Sequence, residues 1–269
     1  MNDRSPTIDR VTADVERTRP RYSPLTVQII ALVGVASSSF PITVLSAALP
    51  DIADDLDTSV STITWVIAAP LLAFAAFTPM AGKLGDLYGH RRIYLLGFTG
   101  AAVMSLATAS AWNAASLITF RVIGQAMSAS TGPSALALIM SVYPEDKRTS
   151  VAGNWSAVLA ASPALGVVIG GPLIDATSWR TLFLIQGAGA ALAVALSWRV
   201  LPSTQRQRDV SFDLLGGLLL AVGVASLLVG INRGAVAGWG HPAVIGALLS
   251  APLWLAAFVW WEQRTEHPL

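Results

Sequence analysis

Residues 82–92 read GKLGDLYGHRR and lie between two apolar runs, 62–81 and 93–111. These eleven residues hold three glycines, an acid, a histidine and three basic side chains. The chain around them has 269 residues, is 54% hydrophobic and only 12% charged, and has a mean hydropathy of +0.60. A soluble domain carries about 25% charged residues. Here the charge is gathered into short breaks between long uncharged runs. A helix needs roughly 20 mostly apolar residues to cross a bilayer. Eight runs meet that length: 25–49, 62–81, 93–111, 115–142, 150–174, 180–199, 213–232 and 240–261. The first is longer than the signal-peptide core of about 7–15 residues and is read as a retained helix. Backbone facing lipid must satisfy its own hydrogen bonds, so the pattern predicts an all-α polytopic membrane protein built as a helical bundle. A soluble helical protein would show polar faces that these runs mostly lack.

The basic residues sort by alternate breaks. Arg4, Arg10, Arg17, Arg19 and Arg21 precede the first run; Lys83, Arg91 and Arg92 follow the second; Lys147 and Arg148 follow the fourth; Arg199, Arg206 and Arg208 follow the sixth; Arg264 follows the eighth. Arg180 and Arg233 lie on the other side, and Arg121 falls within a run. This bias predicts a cytoplasmic N-terminus and a cytoplasmic C-terminus. The opposite break, PDIADDLDTS at 50–59, has four acids and no base, in agreement. Trp112, Trp179 and Trp239 lie near the outer ends of runs, as interface anchors do or as ordinary packing would place them.

The chain divides into a polar tail at 1–24, read as disordered and cytoplasmic, a six-helix bundle at 25–201, a cytoplasmic linker at 202–212, two further helices at 213–261, and a cytoplasmic end at 262–269, read as a truncation point. A net charge of +1 gives no case for a nucleic-acid partner, and the lack of cysteine excludes disulfides, thiolate metal sites and thiol nucleophiles. His90, His241 and His267 stand at breaks or run ends, with no Ser/His pair, paired acids or metal-ligand cluster. The chain is therefore read as no enzyme, with no metal site and no cofactor.

Within 82–92, Gly82, Gly85 and Gly89 allow tight turning and close helix approach. Asp86 precedes the third run, where a carboxylate meets the positive end of a helix dipole. Arg91 and Arg92 are placed at the inner membrane surface, where they can pair with acids or phosphate headgroups. Such a loop can latch a bundle in one state and release it in another. The plain alternative is a turn that sets topology only.

GKLGDLYGHRRIYLLG (82–97) resembles the loop signature between helices 2 and 3 of the major facilitator superfamily, roughly G-x-L-A-D-R-x-G-R-R-x-x-L. Gly82, Leu84, Asp86, Gly89, Arg91 and Arg92 match, whereas Leu87 and His90 stand where the family usually has a base. ITVLSAALPDIADDL, FRVIGQAMSASTGPSALALIMSVYPEDKRTSVAGNW and SPALGVVIGGPLIDATSWRTLFLI follow in the order of that superfamily's drug:proton antiporter branch with fourteen helices. The resemblance covers nearly everything after residue 24. It implies a major-facilitator-type bundle, with the N-terminal six-helix half followed by two further helices. It also implies a plasma (inner) membrane transporter that moves a lipophilic or cationic small molecule outward by alternating access, with a proton gradient as energy source.

Arg121, the charge inside a run, should face the bundle interior and have a partner. The resemblance maps it to the helix 4 arginine linked to proton coupling. Gln125 follows Gly124 where the family commonly reads Gln-Gly. Asn154 and Trp65 join Arg121 and Gln125 as candidates for the coupling and substrate pathway, with Gln28, Gln186, Ser37, Ser38, Ser39 and Trp155 as further pocket residues. Pro163, Gly166, Gly170 and Gly171 form a packing seam and hinge in the fifth run, with small residues four apart. The resemblance matches them to a G-P-x-x-G-G signature that has Val167 in place of proline. Pro41 stands where the branch usually has an aspartate, so the coupling group is left open. Eight runs make one half of the fold and two helices more. The bilayer is then one partner, and a second copy or a missing C-terminal half is another. The alternative reading is a transport-inactive fragment that acts as a membrane interaction or modulator protein.

Overall fold

The computed structural model describes residues 22–39, 44–46, 48–204 and 213–265, and every regular element among them is helical. Pro41, most of the tail, linker residues 205–212 and residues 266–269 lie outside the described residues. In chain order the helices are α1 (Pro24–Ser39), α2 (Leu49–Asp55), α3 (Val60–Ile63), α4 (Trp65–Tyr88), α5 (His90–Ala109), α6 (Ala114–Ser128), α7 (Thr131–Val142), α8 (Glu145–Ala176), α9 (Trp179–Val200), α10 (Leu214–Ala237) and α11 (Pro242–Glu262). The stretch Val60–Tyr88 and α5, α9, α10 and α11 are each long and apolar enough to cross a membrane.

The break at 82–92 is shorter than its charge suggests. Residues 82–88 continue α4 and His90 opens α5, so Gly89 is the single residue between the two helices. Its φ of 92° is in the range that favours glycine. Gly82 and Gly85 are helical, and their polar neighbours form the last turns of α4 rather than a loop.

The run 115–142 is broken instead of continuous. α6 stops at Ser128 and α7 starts at Thr131. Pro133 explains the break, because it offers no N–H to the carbonyl of Ala129 four residues earlier. Ser130 Oγ donates to the carbonyl oxygens of Met127 and Ile93, and Thr131 Oγ1 donates to that of Ser128, so side chains satisfy carbonyls around the break. α5 crosses there closely: a methyl on Gly97 would collide with Ser130 Oγ and lie 2.7 Å from the Met127 carbonyl oxygen.

α8 spans 32 residues, about 48 Å at roughly 1.5 Å per residue, and so exceeds the roughly 30 Å apolar core of a bilayer. It begins five residues before the apolar run, with Glu145 and Asp146 in the first turn, where the helix dipole favours acids.

Two apolar clusters fill the first nine helices. One gathers Leu45, Ile52, Ile63, Val66 and Leu117 around Trp179, Leu182 and Phe183 at the start of α9. The other gathers Val27, Tyr94, Phe98, Leu138 and Ile139 around Ala190 in the middle of α9 and Leu201 just past its end. Trp179 is 3% exposed, and its indole donates to Asp55 at 3.2 Å, so it is a core residue. Trp112 and Trp239 are exposed. Arg180 stacks on Trp179, pairs with Asp55 and donates to the Ala111 carbonyl oxygen, and thereby ties α2, α9 and the turn after α5 at one end.

α10 packs on α4 and on α11. Its contact with α11 has a seven-residue register. A methyl on Gly223 would lie 2.8 Å from Leu255, and one on Gly230 would lie 2.6 Å from Leu248. One repeat earlier, Gly216 faces Glu262. Glycine every seventh residue gives α11 a continuous seam for close antiparallel approach. Asp213 closes the end of this seam. It caps α10 through the amide of Gly216 at 2.9 Å and accepts from the indole of Trp261 at 2.8 Å.

Candidate functional site

Arg121 projects from the middle of α6 into the bundle and is 7% exposed. Its Nε donates to the carbonyl oxygen of Val66 at 2.9 Å, and its guanidinium lies over the Phe183 ring at 5.1 Å from the centroid. Val66 has a carbonyl to spare because the residue four positions on is Pro70, inside α4. Proline brings no N–H, so the carbonyl would otherwise be an orphan acceptor in an apolar setting. The charge is thus held by a backbone dipole and an aromatic face, and no carboxylate lies within ion-pair distance among the described residues.

Beside Arg121 is a cavity of about 20 Å³, little more than the space for one water, with Ser105, Gln125, Ser128 and Gln186 in its wall. Ser105 Oγ donates to the Phe183 carbonyl oxygen at 2.9 Å and sits 3.1 Å from Gln186 Oε1; Ser128 Oγ is 3.1 Å from Gln125 Oε1. A second cavity, about 510 Å³, opens on the other side of the same two residues, Gln125 and Ser128. Its remaining wall is mostly apolar: Val35 of α1, Leu71 and Phe74 of α4, Pro133 and Leu136 of α7, and Trp155 and Leu159 of α8. A volume in the range of small-molecule pockets, with few polar groups, can take an apolar ligand and orient it at one edge. The indole Nε1 of Trp155 is buried without a hydrogen-bond partner among the described residues.

Of the sequence candidates, the structure brings Arg121 and Gln125 together. Asn154 is exposed, and its neighbour Trp155 reaches the large cavity. Trp65 lies apart, under the guanidinium of Arg233 at 4.7 Å. Gln28 accepts from the hydroxyl of Tyr143 at 2.7 Å. Pro163, Gly166, Gly170 and Gly171 all lie within the unbroken α8; Gly166 and Gly170 are buried, and a methyl on Gly170 would collide with the Val44 side chain. At the α4–α5 joint, His90 Nε2 is 3.0 Å from Asp86 Oδ1, and the His90 amide donates to Thr204 Oγ1 at 2.9 Å. Arg91 donates to the carbonyl oxygen of Trp198 at the end of α9. A methyl on Gly85 would collide with the His90 ring, whereas Gly82 has room for one. Pro70, Thr78 and Ser128 are functional candidates that the sequence reading misses. Pro70 does carry a signal: a proline within an apolar run frees a carbonyl that something must satisfy.

The model of the Major Facilitator Superfamily matches residues 31–263. The chain is 34% identical over 250 residues to the tetracenomycin C resistance and export protein of Streptomyces glaucescens, covering 93% of this chain and 46% of that protein. It is 32% identical over 260 residues to a methylenomycin A resistance protein of Streptomyces coelicolor, covering 96% and 54%, and 32% identical over 247 residues to the multidrug resistance protein Stp of Mycobacterium tuberculosis, covering 90% and 46%. The chain therefore spans about half the length of these relatives. Its backbone is similar to the crystal structure of the human organic anion transporter MFSD10, with a TM-score of 0.52 at 16% identity, covering 76% of this chain and 54% of that one. It is likewise similar to a bacterial homologue of the human lysosomal transporter Spinster, inward-facing and occupied, with a TM-score of 0.51 at 21% identity, covering 87% and 58%.

Proposed function

This chain belongs to the major facilitator superfamily, and we propose that it forms the N-terminal, substrate-facing part of an exporter of lipophilic small molecules. The observation that carries this reading is the cavity of about 510 Å³, whose apolar wall meets Gln125 and Ser128 on the side toward Arg121. An apolar molecule gains from leaving water for such a wall, and the two polar side chains orient it. Relatives named for resistance and export support outward movement of drug-like compounds. The bias of basic residues supports a cytoplasmic position for both termini.

In this reading Arg121 is a fixed interior charge. It reports the packing of α4 against α6 through the Val66 carbonyl, and it sits one small polar cavity away from the ligand. A proton gradient is the proposed energy source. Asp86, His90, Arg91 and Arg92 form the gate at the α4–α5 joint. The wall of the cavity lies on five helices of one half, so alternating access calls for a facing bundle. A C-terminal half or a second copy supplies it.

The test is ethidium accumulation in cells stripped of their own exporters. The chain is expressed alone, and also joined to the C-terminal half of the Streptomyces glaucescens relative. Lower accumulation with either form, lost on Leu136→Trp or Arg121→Met at equal expression, supports the reading. Lowered accumulation by the joined form alone assigns the facing bundle to a C-terminal half. Accumulation equal to the empty vector in both forms removes the exporter reading.

A further inference from the structure

We propose that the joint between α4 and α5 holds one anionic phospholipid, with its headgroup against Arg91 and Arg92 and an acyl chain along the groove between α5 and α9. Two cavities meet at these arginines. The first, about 190 Å³, is lined by Tyr88, Gly89, Arg91, Arg92, Ser203 and Thr204. The second, about 480 Å³, has Arg91, Arg92 and Trp198 in its wall, with Leu95, Leu96 and Thr99 further along α5. Neither has an acidic side chain in its wall. One end is polar and cationic and the other is apolar, in the order a phospholipid presents its phosphate and its chain.

The charges at the joint call for an anion. Arg91 and Arg92 stand in the first turn of α5, where the helix dipole disfavours cations, and no acid accompanies them in that turn. Arg91 spends one guanidinium nitrogen on the Trp198 carbonyl, and its Nε is buried without a hydrogen-bond partner among the described residues. The Arg92 guanidinium makes no hydrogen bond or ion pair with any described residue, while its backbone amide donates to the Gly89 carbonyl oxygen. The nearest acid in sequence, Asp86, is engaged by His90. Thr204 accepts from the His90 amide, which leaves its hydroxyl proton free to donate to a phosphate oxygen. Leu96 and Trp198 are exposed on the outer surface of the bundle, where lipid is the neighbour. A lone phosphate would use the arginines but not the groove. A neutral lipid would use the groove but leave both cations uncompensated.

Native mass spectrometry of the purified chain in detergent tests this, with phosphatidylglycerol, phosphatidylcholine of the same acyl chains, or sodium phosphate added. Retention of phosphatidylglycerol over phosphatidylcholine is expected. At roughly fivefold in affinity per basic residue near an anionic surface, the double substitution Arg91→Gln, Arg92→Gln should weaken that retention about 30-fold. Thr99→Trp keeps both arginines and fills the groove; it should lower phosphatidylglycerol retention as well, and it decides the matter if the double variant fails to insert. Equal retention of both lipids, displacement of phosphatidylglycerol by equimolar sodium phosphate, or retention unchanged by the substitutions would overturn the proposal.

Discussion

Arg121 and Pro70 are coupled through a single oxygen: the carbonyl of Val66, which Pro70 deprives of its helical donor, accepts Nε of Arg121 at 2.9 Å. Replacing Arg121 by Met removes a buried charge, which by itself is often neutral or stabilising. It also strands the Val66 carbonyl, at a cost of about 1–3 kcal/mol. Pro70→Ala supplies a backbone N–H to that oxygen. The expected outcome is therefore non-additive: Pro70→Ala should stabilise the Arg121→Met protein by about 1 kcal/mol more than it stabilises the parent. Denaturant midpoints of the four proteins in detergent measure this. Equal effects of Pro70→Ala in both backgrounds would show that the two residues do not share the oxygen.

The three glycines of GKLGDLYGHRR should differ sharply. Gly82 is a helical residue, and a methyl added to it would have its nearest outside atom 3.8 Å away, so Gly82→Ala should raise stability by about 0.5–1 kcal/mol. Gly85→Ala drives a methyl into the His90 ring, and the ring must leave Asp86; a loss of about 1–3 kcal/mol is expected. Gly89→Ala must hold φ near 92° and should cost about 1–2 kcal/mol. Thermal midpoints of the single variants check the order. Three equal losses would mean that the joint is not built as described.

Asp86→Asn keeps a hydrogen-bond acceptor for His90 but removes the charge. If the joint is a gate, efflux by the form that transports should fall at least about tenfold, the effect of a 1.4 kcal/mol change in a conformational equilibrium. Membrane insertion, followed by the amount of chain extracted from membranes, should be unchanged. Unchanged efflux at equal expression would reduce the residue to a determinant of topology.

The helical bundle is legible in the sequence because bilayer length and charge asymmetry act on whole segments, and each of the eight runs contains helix. The joint is less so. Charge and glycine together mark a break, yet α4 carries Gly82–Tyr88 through it, because helical backbone bonds tolerate charged side chains at a membrane surface and only Gly89 needs an unusual φ. The cut in the fourth run depends on Pro133 acting four residues upstream, which apolar periodicity does not display. Arg121 stands out in the sequence as an interior charge, but its partner does not, since the acceptor is a main-chain oxygen on another helix. Trp155 and Asn154 are adjacent in sequence; only the rotation of α8 decides that the indole lines the cavity while the amide is exposed.

The seam between α10 and α11 gives the most specific test of packing. Gly223 lies against Leu255 and Gly230 against Leu248, each pair one heptad from the next. Gly223→Val places two methyl groups where Leu255 already stands, and overpacking of this kind costs about 1–3 kcal/mol. Leu255→Ala opens space at the same level and should recover a large part of that loss. Leu248→Ala opens space one heptad away and should not. The comparison separates register from bulk, because both second-site changes remove the same atoms. Unfolding midpoints in detergent of the parent, the three single variants and the two double variants give the coupling energies. A coupling of about 1 kcal/mol or more for Gly223 with Leu255, against less than about 0.5 kcal/mol for Gly223 with Leu248, is the expected result. Equal coupling for both pairs would mean that α11 slides along α10, and that the glycines supply closeness without register.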